Sequence, residues 1–544
     1  MTNRRAFLRS SIIGLGSGFL DISQSFGKST AYDVVVYGAT AAGVIAAVAA
    51  ARQGANVALL EPGTHLGGMI SGGLGHSDVG RAETIGGLSR EFFERVGRHY
   101  GQPVVWDFEP HVAENVFRQM AREAGVKVYY RRRLNEHQGV VKRGKHIAAA
   151  RMENGESFAA RVFVDATYEG DLLGQAGVSF TVGREGRNQY SELFAGVRAV
   201  DQWALNRFDV PVPAYDSHGK LLPNVSAESP GVVGAADKKI PAYNFRLCLT
   251  NNPANRISIP EPSHYDPRDF ALLAALIRVT TERQGRPPNF SDLTISTAKR
   301  SGLPHNKIDL NNQGGFSTDY IGKSWDYPTA SYRRREEIWW EHFDYTAGFL
   351  YFLAHDPSVP EVLKSEVRPW GLARDEFLDT NHWPFQLYVR EARRLVGDFV
   401  MTQRDAETEI TKPDPIGMGS YALDSHNVQR YVQKDGTAQN EGDLEPPAIP
   451  YQIAYRVLLP QKPECTNLLV PVCCSASHVA YGTLRCEPVY MIMGHAAGIA
   501  AHMAAQQRCA VQDVSAAELT AELKRQRAIM EWSNPRHLTL HPVG

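Results

Sequence analysis

The stretch Tyr32-Asp33-Val34-Val35-Val36-Tyr37-Gly38-Ala39-Thr40-Ala41-Ala42-Gly43 decides the fold of this chain. Its first six residues form an apolar, β-branched run of strand type. Ala41 to Gln53 follows as a small-residue helix with almost no polar side chains, and Asn56 to Leu60 reads as a second strand ending on Glu61. A strand, a glycine turn, a helix and a second strand within about thirty residues is the context in which a phosphate-binding glycine motif has physical meaning. Gly38 permits the tight turn out of the strand. The helix start at Ala41 offers free N–H groups and a positive dipole end to a pyrophosphate, and Gly43 lets helix and strand approach closely. Thr40 stands at the usual middle glycine, where its hydroxyl could reach the phosphate. Glu61, 18 positions after Gly43, places a carboxylate for ribose hydroxyls and disfavours a 2′-phosphate. At this point FAD and NAD are equally open.

Directly after Glu61 comes a loop with six glycines in the thirteen positions from Gly63 to Gly75, so backbone passes very close to something flat or phosphorylated. Glu61-Pro62 and Gly67-Gly68-Met69 complete an E-P-x-x-x-x-G-G-M pattern, and Gly38 to Gly43 fits G-x-T-x-A-G. With these motifs the chain resembles the bacterial FAD-dependent oxidoreductases, relatives of the glutathione-reductase-like flavoproteins. The likeness continues from Phe163 to Asp171 (FVDATYEGD), which looks like their second flavin motif. It extends to Asn467–Val472 (NLLVPV), read as a buried strand, and to a helix from Val489 to Met503. The resemblance covers about 500 residues, from Tyr32 to about Ala505. It implies an α/β fold: a Rossmann-like FAD-binding domain of the glutathione-reductase-like type with a large inserted α+β substrate domain. It also implies FAD as cofactor, with Gly67, Gly68, Met69, Asp165, Thr167, Gly494, Ala497 and Gly498 joining Gly38, Thr40, Ala41, Gly43 and Glu61 at the flavin. His495 departs from the Gln more familiar in the family.

The expected division is a signal segment at 1–30, the first part of the FAD-binding domain at 31–195, and an inserted substrate domain at 196–440. The second part of the FAD-binding domain spans 441–510, and a C-terminal helix and tail 511–544. The insert holds Trp325, Trp339, Trp340, Trp370 and Trp383 beside polar loops, a composition suited to sugars, which pack C–H faces on rings. Its helices are expected at Pro267–Gln284 and Arg333–Ala354. Tyr388 to Arg394 reads as helix-like, with Arg390 and Arg394 on one face.

Candidate catalytic groups move a proton while hydride passes to flavin. His478 is the first choice, because it follows a buried strand and precedes the flavin-closing helix, and histidine titrates near neutrality. Arg485, Arg390 and His426 are the others; Arg485 and Glu487 are read as binding an anionic substrate group or pairing with each other. The expected function is oxidation of a small polar substrate, a sugar or hydroxy acid, by hydride transfer to FAD. The alternatives are a reductase of the fumarate-reductase-like type, and a carbohydrate lyase or sugar-binding protein with structural or no flavin. No second dinucleotide motif occurs in residues 196 to 440, so the acceptor is expected to be oxygen, a quinone or a periplasmic carrier.

With 58 basic against 59 acidic residues, no global basic field exists to hold nucleic acid. Six cysteines form no C-x-x-C pair, and Cys473-Cys474 reads as two buried thiols in a strand. No His or carboxylate spacing fixes a metal set, and no metal is expected. Thr2 to Arg9 (TNRRAFLR) precedes a short apolar stretch, Ile12 to Leu20, too short for a stable membrane span. The paired Arg4 and Arg5 resemble a twin-arginine signal. This predicts a partner in the twin-arginine export machinery and a periplasmic or secreted protein exported folded, with its cofactor already loaded.

Overall fold

The computed structural model describes residues 31–296, 302–408 and 410–532. The segment read as an export signal lies outside the described residues. Strand β1 (Ala31–Tyr37) is followed by α1 (Ala41–Arg52) and β2 (Val57–Glu61), which runs parallel to β1. After α2 (Gly87–His99) and α3 (Pro110–Glu123), β3 (Lys127–Tyr130) adds parallel to β2. A hairpin, β4 (Val140–Arg143) and β5 (His146–Arg151), leads into β6 (Ser157–Asp165), parallel to β1 on its other side. Strand β7 (Leu468–Leu469) returns from the far end of the chain and pairs parallel with β6 at Phe163 and Val164. The parallel path is thus β3-β2-β1-β6-β7, with the hairpin antiparallel along the first half of β6. This is a Rossmann-like α/β sheet.

From Val34 to Tyr37 strand β1 is apolar because both of its faces are covered. Val34 and Val36 join one core cluster, and Val35 and Tyr37 the other. Helix α1 carries no polar face, and every residue from Ala41 to Ala50 is buried, so it needs cover on all sides. Helix α5 (Glu487–Gln507) supplies it; it follows the short α4 (His478–Leu484). A Cβ on Gly494 would lie 2.3 Å from the Ala42 carbonyl oxygen, and one on Gly498 2.2 Å from that of Ala46. Gly494→Ala is therefore expected to destabilise by about 1–3 kcal/mol, read as a lower denaturant midpoint at unchanged slope.

The inserted region builds its own five-stranded antiparallel sheet, in the order 294–296, 307–312, 247–250, 371–373, 256–257. Beside it lie the helices Ala271–Gln284, preceded by a 3-10 turn at Pro267–Phe270, and Tyr332–His355. The antiparallel pair Pro415–Gly419 and Tyr451–Ala454 packs on α5, where a Cβ on Gly417 would meet Ile492 at 2.3 Å. This pair crosses the expected boundary at residue 440. Trp339, Trp340 and Trp383 pack on Phe343 or on one another, at ring distances of 4.5 to 6.1 Å, and Trp339 and Trp383 belong to the core, with Trp340 half-buried beside them.

Two local readings are corrected. Tyr388 to Arg394 is extended, not helical, and Arg394-Leu395 pairs antiparallel with Phe180-Thr181. A spacing of four puts residues on one face in a strand as well as in a helix, so the arginine pattern did not discriminate. The buried strand read at Asn467–Val472 is only Leu468–Leu469, and Cys473 and Cys474 are buried free thiols in the bends that follow.

Candidate functional site

The glycine turn after β1 meets the turn after β6. Gly38 has φ +91°, and a Cβ there would lie 2.7 Å from the Thr167 side chain. A Cβ on Gly43 would lie 1.9 Å from the Gly38 carbonyl oxygen, so both glycines are required by close backbone approach. Thr40 caps α1: its hydroxyl donates to the Ala166 carbonyl (2.7 Å) and accepts from the Gly43 N–H. The reading of Thr40 as a phosphate donor is corrected on this geometry, because its one hydroxyl hydrogen ties the two turns together. Ala41 and Ala42, in the first turn of α1, have N–H groups with no intrahelical partner.

Glu61 accepts from the Ala39 N–H (2.9 Å) and the Gly63 N–H (2.6 Å), joining the glycine turn to the following loop. Loss of water raises its carboxyl to about 7. Asp165 is fully buried and accepts from Thr167 N–H and Oγ1 and from Leu173 N–H, and burial raises it to about 6. Asp165 and Thr167 therefore build the turn after β6 with their side chains instead of reaching outward. Gly494 and Gly498 pack on α1, and Ala497 is fully buried in the core, so their role is helix packing.

Gly67 and Gly68 have φ +104° and +55°, and a Cβ on Gly68 would lie 2.4 Å from the Tyr168 hydroxyl. That hydroxyl accepts from the Met69 N–H (2.9 Å) and donates to Glu487 Oε1 (2.6 Å). Sequence reading passed over Tyr168 and offered Arg485 as partner to Glu487; the structure joins Glu487 to Tyr168 instead. Burial pushes the Glu487 carboxyl up to about 8. The folded state then holds a proton that the unfolded state releases at ordinary carboxylate pH. Stability through this group is full below about pH 4.5 and declines up to about pH 8, by about 1.4 kcal/mol per unit. Glu487→Gln is expected to remove that slope, as checked by denaturant unfolding at several pH values.

The four predicted catalytic residues fall in one buried, charged region where the insert meets α4 and α5. Arg390 pairs with Asp319 (2.9 Å), whose other oxygen meets His426 Nδ1 (2.9 Å). His426 Nε2 faces Asp424 (3.5 Å), Asp424 pairs with Arg485 (2.8 Å), and Arg485 donates to the Tyr388 hydroxyl (3.0 Å). Burial pulls the Arg485 guanidinium down, but Asp424 and Tyr388 outweigh it and hold the charge. His478 lies deeper, with Nδ1 on Glu391 (2.8 Å) and Nε2 on Ser425 Oγ (3.2 Å). Both of its ring nitrogens are engaged, which makes it an anchor between α4 and the insert. His495 is also structural: it meets Gln526 (2.8 Å), and burial lowers it to about 4.

Asp78, Arg246, Asp309 and Glu445 also belong to this region and were not among the expected site residues. Asp78 lies near Tyr388, Arg485 and Tyr421, and its charge is the leading cause of the raised Tyr421 hydroxyl. Arg246 pairs with Asp309 (2.6 Å), and a Cβ on Gly73 would lie 2.6 Å from the Arg246 carbonyl oxygen. Half-buried Glu445 is raised to about 7 by burial and by Asp424, Asp443 and Asp78. The only local signal was that Asp78 follows the glycine-rich loop.

A surface groove of about 730 Å³ between the 213–222 loop and the Ala271–Gln284 helix contains none of these residues. Among the described residues, Glu109, His111 and Glu376 bring ligand-type atoms within 4.8 Å of one another. The Lys307 ammonium lies among them, at 2.6 Å from Glu109 and 2.8 Å from Glu376. No helix among the described residues is long and apolar enough to cross a membrane.

A parallel sheet with a glycine turn, a facing carboxylate and a returning C-terminal strand and helix defines a dinucleotide-binding enzyme of the Rossmann-like class. The family model for FAD dependent oxidoreductases matches residues 33–523, and the chain belongs to that family. It is an FAD-dependent oxidoreductase, and FAD is its cofactor. No curated protein matches it. Solved structures similar to part of it include THI4 of Thermovibrio ammonificans, at 20% identity and TM-score 0.23, over 28% of this chain and 66% of that one. The flavin-dependent brominase Bmp2 is similar at 19% identity and TM-score 0.23, over 28% and 42%. The anhydrotetracycline hydroxylase OxyS of Streptomyces rimosus is similar at 16% identity and TM-score 0.23, over 33% and 41%. The chain spans less than two thirds of the length of each of these proteins.

Proposed function

We propose that this protein oxidises a small polar substrate, a sugar or a hydroxy acid, at a carbon bearing a hydroxyl. The observation that carries this reading is the His426 ring held between Asp319 and Asp424, with Asp424 also gripping Arg485 just before α5. A carboxylate on each side orients the ring and stabilises the charge it gains on taking a proton. His426 is therefore the proton acceptor in place of His478: Asp319 holds its Nδ1, and its Nε2 stands 3.5 Å from Asp424, open to a substrate proton, whereas both His478 nitrogens lie within 3.2 Å of a partner. Arg485 and Tyr388 hold the polar group of the substrate, and Arg390 fixes Asp319. When bound, FAD supplies the two-electron acceptor for the hydride that leaves the same carbon.

Gly38 and Ala41 hold the pyrophosphate by an absent side chain and by a free N–H, and Glu61 takes the ribose. The backbone of Gly67, Gly68 and Met69 lines the flavin. The hairpin entering β6 and the return of β7 beside it support the glutathione-reductase-like type of this fold. The paired arginines at Arg4 and Arg5 support export of the folded, loaded protein through the twin-arginine route to the periplasm or beyond.

Anaerobic addition of candidate sugars and hydroxy acids, followed by loss of oxidised-flavin absorbance, tests the reading. His426→Gln is expected to slow that bleaching by about 10²- to 10⁴-fold at unchanged flavin content. An unchanged rate would remove His426 from the reaction, and a colourless, folded wild-type protein would sink the flavin reading altogether.

A further inference from the structure

The hydrogen-bond order around Tyr168 fixes where the Glu487 proton sits. The Tyr168 oxygen accepts from the Met69 N–H, so its hydrogen points to Glu487 Oε1. Oε1 is then the carbonyl-like oxygen, and the acid proton belongs on Oε2. That atom is buried and has no hydrogen-bond partner among the described residues. Glu487 itself is 2% exposed. Among the described residues no cation pairs with Glu487, since Arg485, two residues away, is turned to Asp424 and Tyr388. The titratable groups that face Glu487 are Tyr168 from the turn after β6, Cys486 ahead of α5, and Tyr490 on α5. All three are pushed well above their ordinary values, chiefly by burial, and are neutral. A buried hydroxyl donor without an acceptor is rare in folded proteins, and this one lies where the Gly67–Met69 loop, the turn after β6 and the start of α5 meet.

We infer that Glu487 is a neutral carboxylic acid whose Oε2 hydroxyl donates a hydrogen bond to a carbonyl oxygen or ring nitrogen of the bound isoalloxazine. This rests on the reading that FAD lies against the Gly67–Met69 loop. Tyr168 is the positioning residue that sets which carboxyl oxygen carries the proton. Such a donor stabilises the electron density that the ring gains on reduction and adds to cofactor affinity in both redox states.

The experiment uses the full-length holoenzyme and the variants Glu487→Gln and Glu487→Leu, with free FAD as titrant and dye equilibration for the flavin potential. Glu487→Leu is expected to bind FAD about tenfold more weakly. Its potential is expected to fall by about 30 mV, the two-electron equivalent of a tenfold change. Glu487→Gln keeps a donor and is expected to retain affinity and potential. A break near pH 8 in the wild-type potential, where Glu487 ionises, is expected to vanish in Glu487→Gln. The Gln variant carries the test even if the Leu variant does not fold. Wild-type affinity and potential in Glu487→Leu, or a pH break that persists in Glu487→Gln, overturns the inference while leaving FAD binding intact. A wild-type protein that takes up no FAD overturns both.

Discussion

Lys307→Met is expected to cost about 3–5 kcal/mol of stability, the penalty for removing one partner from a buried ionic cluster. The Lys307 ammonium is buried against Glu109 (2.6 Å), Glu376 (2.8 Å) and Asp375 (2.9 Å). Burial pulls the ammonium down and the Glu376 carboxylate pushes it up, and the carboxylates prevail, so it stays charged. Removing it leaves Glu109 and Glu376, each 1% exposed, without their counter-charge. The cluster also bridges two parts of the molecule. Glu109 precedes α3 of the FAD-binding unit, whereas Lys307 and Glu376 lie on or beside the sheet of the insert. The variant is therefore expected to unfold at lower urea and to lose flavin with the displaced insert. Adding Glu376→Gln is expected to recover part of the loss, because one fewer carboxylate is stranded. A single variant as stable as wild type would show that the cluster relaxes into water.

Gly43→Ala is expected to yield protein that holds at least tenfold less FAD, measured as flavin absorbance per protein after purification. The added methyl would lie 1.9 Å from the Gly38 carbonyl oxygen and 3.1 Å from the Ala166 Cβ. The first neighbour is backbone and cannot turn aside, so the glycine turn or α1 must shift. A shift of α1 is blocked by α5, whose Gly494 and Gly498 already bring the two backbones into contact. The turn moves instead, and with it the N–H groups placed for the pyrophosphate. Overpacking of this kind costs about 1–3 kcal/mol in stability, but the larger effect falls on the cofactor. Full flavin content in this variant would show that the turn at Gly38 is not what holds the dinucleotide.

The β-α-β unit from Tyr32 to Glu61 was legible because its determinants are local: a β-branched run, a helix of small residues, and glycines at fixed offsets between them. The same holds for the helix around Gly494, where small residues four apart announce close approach to something. That the something is α1 and not the flavin depended on how the C-terminal segment returns to the sheet.

The charged region was legible only as a set of residue types. His426, Arg485, Arg390 and His478 were each found in sequence, but not the order in which Asp319 and Asp424 link three of them. Tyr168 and Glu487, 319 positions apart, carry no periodicity that relates one to the other.

Local patterns follow from backbone geometry that a few consecutive residues impose on themselves, and the sequence alone determined those: the strand, the glycine turn, the helix and so the class of cofactor. Which buried charge meets which partner, whether the arginines of residues 390 to 394 lie on a helix or an extended chain, and which oxygen of Glu487 is left without a partner were decided by the tertiary structure. Pairing across hundreds of residues is set by burial and direction in three dimensions, and no short stretch of chain contains either.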